Sequence, residues 1–451
     1  MTTRDVALSA QAVPEGWSIL PLGDLTSWMS GGTPSKSNPD YWGGDIPWIS
    51  AKSLKSFYLY DSEDHVTEAA IVDGARQADT GDILILVRGM TLHNDVPVGI
   101  AMRPMTFNQD VKGLRGKRGA ATRYIAYWLA GNKGRLLAAV DQASHGTGRL
   151  RTDVLQEMDV RLPPPDEQNS IAAVLGGLDD KIEQNRRTTR ALERLARAIF
   201  RAWFVDFEPV KAKAEGATCF PSMPQEVFDA MPTRLIDSEI GPVPDGWEVK
   251  AIGDVVTLKG GGTPSTKNPD YWEGGEHWWA TPKDMSRLSH PVLLDTARRI
   301  TDAGANSISS GILPVGTVLM SSRAPVGYLA IAGVPTAINQ GFIAMLCDGP
   351  LPSTFVLNWA FTSMDTIKSH ASGTTFAEIS KKNFRPLPVI VPTSGVIEAY
   401  RTAVDSLFDL LTTSMKENAQ LATVRDYLLP KLLSGKIQVH NVIHQHEVAT
   451  P

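Results

Sequence analysis

The sequence of 451 residues has few of the features that mark secreted, membrane-spanning or metal-dependent proteins. Its two cysteines, Cys219 and Cys347, lie far apart along the chain, so we expect no disulfide framework and a reducing compartment. No apolar run reaches the roughly 18 residues that a membrane-spanning helix needs, and the polar N-terminus does not resemble a signal peptide. These absences predict a soluble, cytoplasmic protein with no membrane partner.

Catalytic motifs are missing as well. The chain has no GxxxxGK[ST] phosphate loop, no HExxH and no paired CxxC, which disfavours an ATPase and the common zinc sites. The run Asn-Pro-Asp-Tyr at residues 38–41 and 268–271 resembles the motif with which amino-methyltransferases hold a flipped base. Its third residue is Asp, it occurs twice and no glycine-rich cofactor loop lies nearby, so a structural turn is the preferred interpretation. We therefore predict no catalytic residues and no cofactor or metal bound by this chain.

A surplus of positive charge is also missing, because 44 Lys and Arg stand against 49 Asp and Glu, for a net charge of −5. Nucleic-acid-binding proteins usually carry a basic surplus, so this balance argues against a DNA-binding protein that acts alone. One basic cluster departs from the overall balance: Lys112, Arg115, Lys117 and Arg118 fall within seven residues.

The dominant feature that is present is an internal repeat. The run GGTPSKSNPDYW at residues 31–42 returns as GGTPSTKNPDYW at 261–272, a displacement of 230 residues. This period is far longer than the 20–50 residues of solenoid repeats, so each copy is long enough to be a domain. Short apolar runs broken by Gly and Pro, such as residues 82–87, predict a mixed α/β fold for both copies.

A helical pattern follows each copy. Apolar residues step by four and three from Ile171 to Trp203 and again from Tyr400 to Leu432, which is the 3.5-residue repeat of a coiled coil. Each helix would be roughly 50 Å long at 1.5 Å per residue, and could act as a ruler. Either the two helices pair with each other, or each packs only on its own domain. The residues predicted to pair the helices are Leu175, Leu178, Ile182, Leu192, Ile199, Trp203, Val404, Leu407, Leu411, Leu421, Leu428 and Leu432.

These patterns divide the chain into six segments. The predicted segments are a first globular domain at 1–165, a first long helix at 166–207, a linker at 208–243, a second globular domain at 244–393, a second long helix at 394–435 and a tail at 436–451. The linker is rich in Pro, Ala, Glu and Lys, so we expect it to lie on the surface without a core of its own. For His440, His444 and His446 in the tail, a frayed terminus is preferred over a metal site.

The remaining recurring residues are of types that contact DNA. Arg88 and Arg323 each follow an apolar strand and precede Pro-Val-Gly, and an Asn-Gln pair comes next in both copies. Arg can pair with guanine and Asn or Gln with adenine, while loops rich in Gly and hydroxyls can approach phosphates. Plain structural turns are the alternative. The candidate DNA-binding residues are Thr33, Ser35, Lys36, Arg88, Asn108, Gln109, Lys112, Arg115, Lys117, His145, Thr147, Arg149, Thr263, Ser265, Lys267, Lys283, Arg323, Asn339, Gln340, His370, Ser372, Thr374 and Thr375.

The chain resembles the specificity subunit of type I restriction-modification systems, usually called HsdS. The resemblance rests on the two GGTPSxxNPDYW runs, on KIExN at 181–185, on AIFRxWFVDF at 198–207 and on LLPKLLSG at 428–435. Together with the order of the repeats, these motifs cover nearly the whole chain.

The resemblance implies both a fold and a function. The fold would hold two similar globular target-recognition domains of mixed α/β structure. Two long helices, packed as an antiparallel coiled coil, would separate them in a pseudo-two-fold repeat. Each domain would read one half of a bipartite site in double-stranded DNA, and the helices would set the spacer.

The resemblance also implies partners. Two methyltransferase subunits would dock on the helices and methylate adenine with S-adenosylmethionine. Restriction subunits would add translocation and cleavage that depend on ATP and Mg. The chain itself would be non-catalytic. Two other functions remain open on the residues alone: a protein-binding scaffold and a self-contained DNA methyltransferase.

Overall fold

The computed structural model describes residues 13–117, 119–142, 147–373 and 377–439, which form two compact units. The first unit holds the described residues up to Lys181 together with those from Gln420 onward, and the second holds those from Ile182 to Ala419. Each unit therefore contains one globular domain and a part of each long helix.

A five-stranded sheet lies at the centre of the first unit. In spatial order its strands are Thr26–Ser30, Val111–Gly116, Ile83–Leu86, Val98–Ala101 and Tyr58–Leu59. Neighbouring strands are antiparallel except the last two, which are parallel. The central strand Ile83–Leu86 is fully buried, as its continuous run of β-branched and Leu residues indicates.

The first unit has further strands and helices outside this sheet. The remaining strands are Ser18–Pro21, Trp42–Ile49, Asp64–Val66, Gln77–Ala78, Arg88–Gly89, Met105–Phe107, Val140–Gln142, Gly148–Leu150 and Asp159–Leu162. The short helices are Leu22–Leu25, Pro39–Tyr41, Glu68–Val72, Met90–His93, Thr122–Gly131, Lys133–Ala138 and Thr152–Gln156. Helix Thr122–Gly131 buries its residues Tyr124 to Leu129 in the same core as the central strand.

The second unit repeats this sheet. Its strands, in the same spatial order, are Thr257–Gly260, Phe342–Leu346, Val318–Ser321, Leu329–Ala332 and Val292–Leu293. The last two strands are again the parallel pair. Because order and direction agree, the repeat in the sequence is also a repeat of the fold.

The other elements of the second unit are short. The strands are Leu235–Ile236, Val243–Pro244, Glu248–Ala251, His277–Ala280, Arg298–Ile300, Thr336–Ile338 and Pro388–Val391. The helices are Glu208–Ala214, Gln225–Asp229, Ile252–Val255, Pro269–Tyr271, Pro282–Met285, Asp302–Asn306, Ser353–Thr362, Met364–Ser369 and Lys381–Phe384.

The two long helices, Pro165–Phe204 and Ser394–Leu433, each have 40 residues. In the second unit Asn185 meets Asn418 and Phe200 meets Tyr400, so residue numbers rise in one helix as they fall in the other. The helices are therefore antiparallel. Together with the two similar α/β domains, this confirms the predicted fold class.

The long helices also pack on globular parts of the chain. In the second unit the Phe204 ring lies 4.8 Å from that of Phe355 and 5.1 Å from that of Tyr400. In the first unit Leu432 and Leu433, at the end of the second helix, join the core. The end of each helix thus packs on the domain that does not precede it in the sequence, so the alternative in which each helix packs only on its own domain does not hold.

The segment at 208–243 is more structured than its composition indicates. It carries two short helices, and Val210, Met223, Phe228 and Met231 are buried in the core of the second unit. These four apolar residues are scattered among Pro, Lys, Ala and Glu, so no periodic pattern announces them.

Candidate nucleic-acid interface

The repeated GGTPS loop is a turn that lies close against the neighbouring backbone. Gly32 donates its N–H to the carbonyl oxygen of Phe107, and Gly262 does the same to Ile338, both at 2.9 Å. At Gly31 and Gly261 an added Cβ would overlap the carbonyl oxygens of that neighbouring segment. Glycine is therefore required at these two positions by the close approach of the two backbones.

Two tryptophans of the repeat hold the carbonyl oxygens of this loop. The indole N–H of Trp42 donates to Ser35 at 3.1 Å, and that of Trp48 donates to Gly32 at 3.2 Å. Their rings meet edge to face with centres 5.3 Å apart, a favoured aromatic geometry. The second unit repeats both bonds with Trp272 to Ser265 and Trp279 to Gly262, each at 3.1 Å.

The Asn-Pro-Asp-Tyr run forms the turn that the sequence favoured. Asn38 caps the short helix Pro39–Tyr41 by accepting a hydrogen bond from the N–H of Asp40 at 3.1 Å, and Asn268 does the same for Asp270. The Asn side chain is thus used within the turn, which is not the arrangement of a substrate-holding motif.

Hydrogen bonds join the GGTPS loop to the Asn-Gln turn in both units. The hydroxyl of Thr33 donates to Oε1 of Gln109 at 2.7 Å, and that of Thr263 donates to Oε1 of Gln340 at 2.6 Å. Asn108, by contrast, is buried and bonds to Asp110 through both its side-chain atoms, at 3.1 and 3.2 Å. In each pair the Gln is exposed, while the Asn serves the turn.

The two arginines that the sequence singled out lie next to these turns. Arg88 is exposed on strand Arg88–Gly89, and its backbone N–H donates to the carbonyl oxygen of Asp110 at 3.3 Å. The neighbouring strand Gly148–Leu150 places the exposed Arg149 directly opposite Arg88. Arg323 is half-buried and pairs in the same way with Glu378. Candidates from four distant segments of each domain are thus brought together.

The candidate residues fall into three groups by exposure. The exposed ones are Thr33, Ser35, Lys36, Arg88, Gln109, Arg115, Lys117, Arg149, Thr263, Ser265, Lys267, Lys283, Gln340, His370 and Ser372. The partly buried ones are Lys112, Thr147, Arg323 and Asn339, and Asn108 is buried. His145, Thr374 and Thr375 lie outside the described residues, as do Arg118 of the basic cluster and the three tail histidines.

The predicted basic cluster is largely engaged within the fold. Arg115 donates to Asp82 and Asp79, each at 2.6 Å, and these hydrogen bonds raise the pKa of its guanidinium. Lys112 donates to the hydroxyl of Ser30 at 2.6 Å. Asp82 is buried, so Arg115 balances a charge that the core could not otherwise hold. The spacing of the predicted cations along the chain does not reveal these partners.

One corner beside the loop differs between the units. In the second unit the guanidinium of Arg298 lies 3.5 Å from the ring centre of Trp272. The pairing of strands places Asp64 at the matching position of the first unit. There a cavity of about 280 Å³ is lined by Lys36, Trp42, Trp48 and Asp64. Sequence reasoning missed this difference because only the strand register aligns Asp64 with Arg298.

Polar groups lie between the paired long helices. In the second unit the buried Asn185 donates to Glu417 at 2.7 Å and to Asn418 at 3.0 Å. In the first unit Arg425 reaches Asp179 at 2.7 Å, and Tyr127 donates to the same carboxylate at 2.9 Å. A buried polar pair is satisfied in one register only, so these contacts fix how the helices align.

The residues predicted to pair the helices are all buried or partly buried. Those that are buried are Leu175, Ile182, Ile199, Trp203, Val404, Leu411 and Leu432. Those that are partly buried are Leu178, Leu192, Leu407, Leu421 and Leu428.

Within the described residues, no group of three or more His, Cys, Asp or Glu side chains could hold a metal ion. No helix within the same residues is both long enough and apolar enough to cross a membrane.

This geometry defines a protein with two like surfaces, each built on the same loops. The family model described as "Type I restriction modification DNA specificity domain" matches residues 14–194 and again 244–421. The MjaIX type I restriction enzyme specificity subunit of Methanocaldococcus jannaschii is 27% identical over 444 residues, 95% of either chain. The HindI specificity subunit of Haemophilus influenzae is 28% identical over 329 residues, covering 64% of this chain and 71% of that one.

A solved structure agrees with the fold. The S subunit of the type I restriction-modification system from M. genitalium aligns with a TM-score of 0.60 at 15% identity, over 94% of this chain and 98% of that one. The chain belongs to the family of type I restriction-modification DNA specificity subunits, since the family model matches both domains and most of the sequence. This membership supports DNA specificity over the scaffold and methyltransferase alternatives.

Proposed function

We propose that each unit reads one half of a bipartite DNA site through the exposed side chains of its GGTPS loop, of its Asn-Gln turn and of Arg88 or Arg323. The observation that carries this proposal is a shared framework with different side chains. The Thr33–Gln109 and Thr263–Gln340 hydrogen bonds join the same loops in both units, at 2.7 and 2.6 Å. The side chains on this framework differ, since Arg149 lies opposite Arg88 and Glu378 lies opposite Arg323. One framework with two sets of side chains suits two different half-sites.

The paired helices set the gap between the half-sites. The contact of Asn185 with Asn418 supports this role, because a buried polar pair allows a single register and hence a constant separation. The description of the family, a DNA specificity domain of type I restriction-modification systems, supports the recognition of DNA by both units.

The helices also dock two methyltransferase subunits, and restriction subunits join the assembly. Large apolar side chains remain exposed on both helices, which suits a protein partner. They include Val174, Leu195, Leu410, Val424 and Tyr427. S-adenosylmethionine, ATP and Mg belong to those partners, and this chain carries out no chemistry of its own.

A binding selection tests the proposal. The chain, purified together with its methyltransferase partner, is mixed with randomised duplex DNA, and the bound fraction is sequenced. We expect two short specified blocks around an unspecified gap of constant length. A single continuous block would mean that only one unit reads bases, and no enrichment at all would contradict the proposal.

A further inference from the structure

The segment paired with each candidate arginine places a different charge next to it. In the first unit, Arg149 lies directly opposite Arg88 across an antiparallel pair, and Asp141 lies opposite Arg149 on the other side. Residues directly opposite one another in antiparallel strands project from the same face. The first unit therefore presents a row of Asp141, Arg149 and Arg88.

The second unit presents the matching row with its central charge reversed. Glu378 lies opposite Arg323 on one side and opposite Ser372 on the other. Arg149 and Glu378 occupy corresponding positions, because the residue that follows each of them makes an equivalent backbone hydrogen bond. Leu150 N–H donates to the carbonyl oxygen of Val87 at 2.8 Å, and Ile379 N–H donates to that of Ser322 at 3.0 Å. Where the first unit has Arg149, the second has Glu378.

The contact between Arg323 and Glu378 leaves both groups able to bind something else. The closest nitrogen and oxygen are 3.8 Å apart, and the side chains are 38% and 49% exposed. Ion pairs of this kind contribute little to stability, since both partners are still hydrated. A nucleic acid can therefore draw both side chains away from each other at low cost.

A guanidinium and a carboxylate that lie side by side match the major-groove edge of a G·C base pair. In the major groove, guanine offers two acceptors to an Arg, and cytosine offers its N4 amino group to a carboxylate. In the first unit the group beside Arg88 is a second guanidinium, that of Arg149, and the carboxylate of Asp141 lies on the far side of Arg149. Next to Arg88 this unit therefore offers donors, which suit guanine or phosphate oxygens.

We propose that Glu378 is a specificity-determining residue of the second unit, which accepts a hydrogen bond from the N4 amino group of a cytosine beside the base contacted by Arg323. This inference rests on the proposed function, because it requires the second unit to read one half-site. The carboxylate of Glu378 would add a hydrogen-bond acceptor for a base to a surface that otherwise carries mainly hydrogen-bond donors such as Arg and Lys.

The test repeats the binding selection with Glu378→Ala and Glu378→Gln in the complex with the methyltransferase partner. With Ala, the preference for cytosine at one position of one block should fall roughly 5- to 150-fold, the range for one good base contact. With Gln, the same position should turn toward adenine, the base that Gln pairs with. The other block, read by the first unit, should stay unchanged and serves as an internal control.

Glu226→Gln is the matched charge control, because it removes one exposed carboxylate from the second unit on helix Gln225–Asp229. It should leave both blocks as they are. If Glu378→Ala tightens binding to every sequence alike and leaves both blocks intact, Glu378 merely opposes Arg323 and the inference is overturned. A wild-type complex that selects no two-block motif would overturn the proposed function itself, which separates the two failures.

Discussion

At the residue scale, Arg88 and Arg323 occupy matching positions with different neighbours. Arg88 stands opposite Arg149, and Arg323 stands opposite Glu378. The backbone at each arginine bonds to the Asn-Gln turn, through Arg88 N–H to the carbonyl of Asp110 at 3.3 Å and Ser322 N–H to that of Gly341 at 2.8 Å. The proposed function gives each arginine a contact with a base or a phosphate.

Replacing Arg323 by Ala should weaken binding to the selected site by about 1–3 kcal/mol, because a bidentate contact with a base is lost. Titration of the wild-type and variant complexes with the selected duplex measures this change. Arg88→Ala is the matched variant in the first unit and should affect only the other half-site. An unchanged affinity and an unchanged preference in Arg323→Ala would remove this arginine from the interface.

Arg115 should behave differently, because it balances the buried Asp82. Arg115→Ala leaves a buried carboxylate without its main partner and should lower the free energy of unfolding by about 1–3 kcal/mol. A denaturant titration measures the loss. Arg151→Ala, which removes an ion pair with the exposed Asp153, is the control and should unfold nearly like the wild type.

Equal unfolding midpoints for Arg115→Ala and the wild type would show that Asp82 finds other partners. A fall in DNA affinity at equal stability would instead return Arg115 to the interface.

At the element scale, the GGTPS loop depends on glycine at one position and not at its neighbour. A Cβ at Gly31 would overlap the carbonyl oxygens of Phe107 and Asn108 at the Asn-Gln turn, whereas a Cβ at Gly32 would meet nothing within 4 Å. Neither residue needs a left-handed backbone, so only space distinguishes the two.

Gly31→Ala should therefore displace the loop and weaken the sequence preference at the half-site that the first unit reads. Gly32→Ala should leave that preference unchanged. Binding selections on the two variants, with circular dichroism to compare their folding, make the comparison. If both variants select the wild-type site, the position of this loop does not matter for reading.

The long helices offer a second matched pair. Leu411 is fully buried, while its neighbour Leu410 is 51% exposed. Leu411→Ala should cost about 2–5 kcal/mol of stability, because it leaves a cavity in the core. Leu410→Ala should cost far less. Thermal unfolding of both variants measures the difference, and similar midpoints would mean that the predicted seam faces elsewhere.

The sequence predicts the long helices and strands better than it predicts which of them pack against each other. The spacing of apolar residues from Ile171 to Trp203 is enough to locate a long helix, because a buried stripe must repeat with the helical period. It does not reveal that Phe204 packs on Phe355, which is 151 residues away. Glu378 was missed as a neighbour of Arg323 for the same reason, since a pairing across strands leaves no periodic trace.

At the scale of the whole molecule, the net charge of −5 fits a subunit that binds DNA as part of a complex. Attraction to phosphates grows with the number of positive contacts, and partner subunits can supply many of them. This chain then contributes the side chains that distinguish one sequence from another, on two copies of a single framework.

The most direct measurement is the affinity of the complex for duplexes that carry both selected half-sites with the gap shortened or lengthened by one base pair. On the proposal that the paired helices set the gap between the half-sites, either change should weaken binding by about tenfold or more, which is about 1.4 kcal/mol or more. The same half-sites in the reverse relative orientation should bind no better than a single half-site. Equal affinity at all three gap lengths would contradict the account, because the helices would then not determine the spacing.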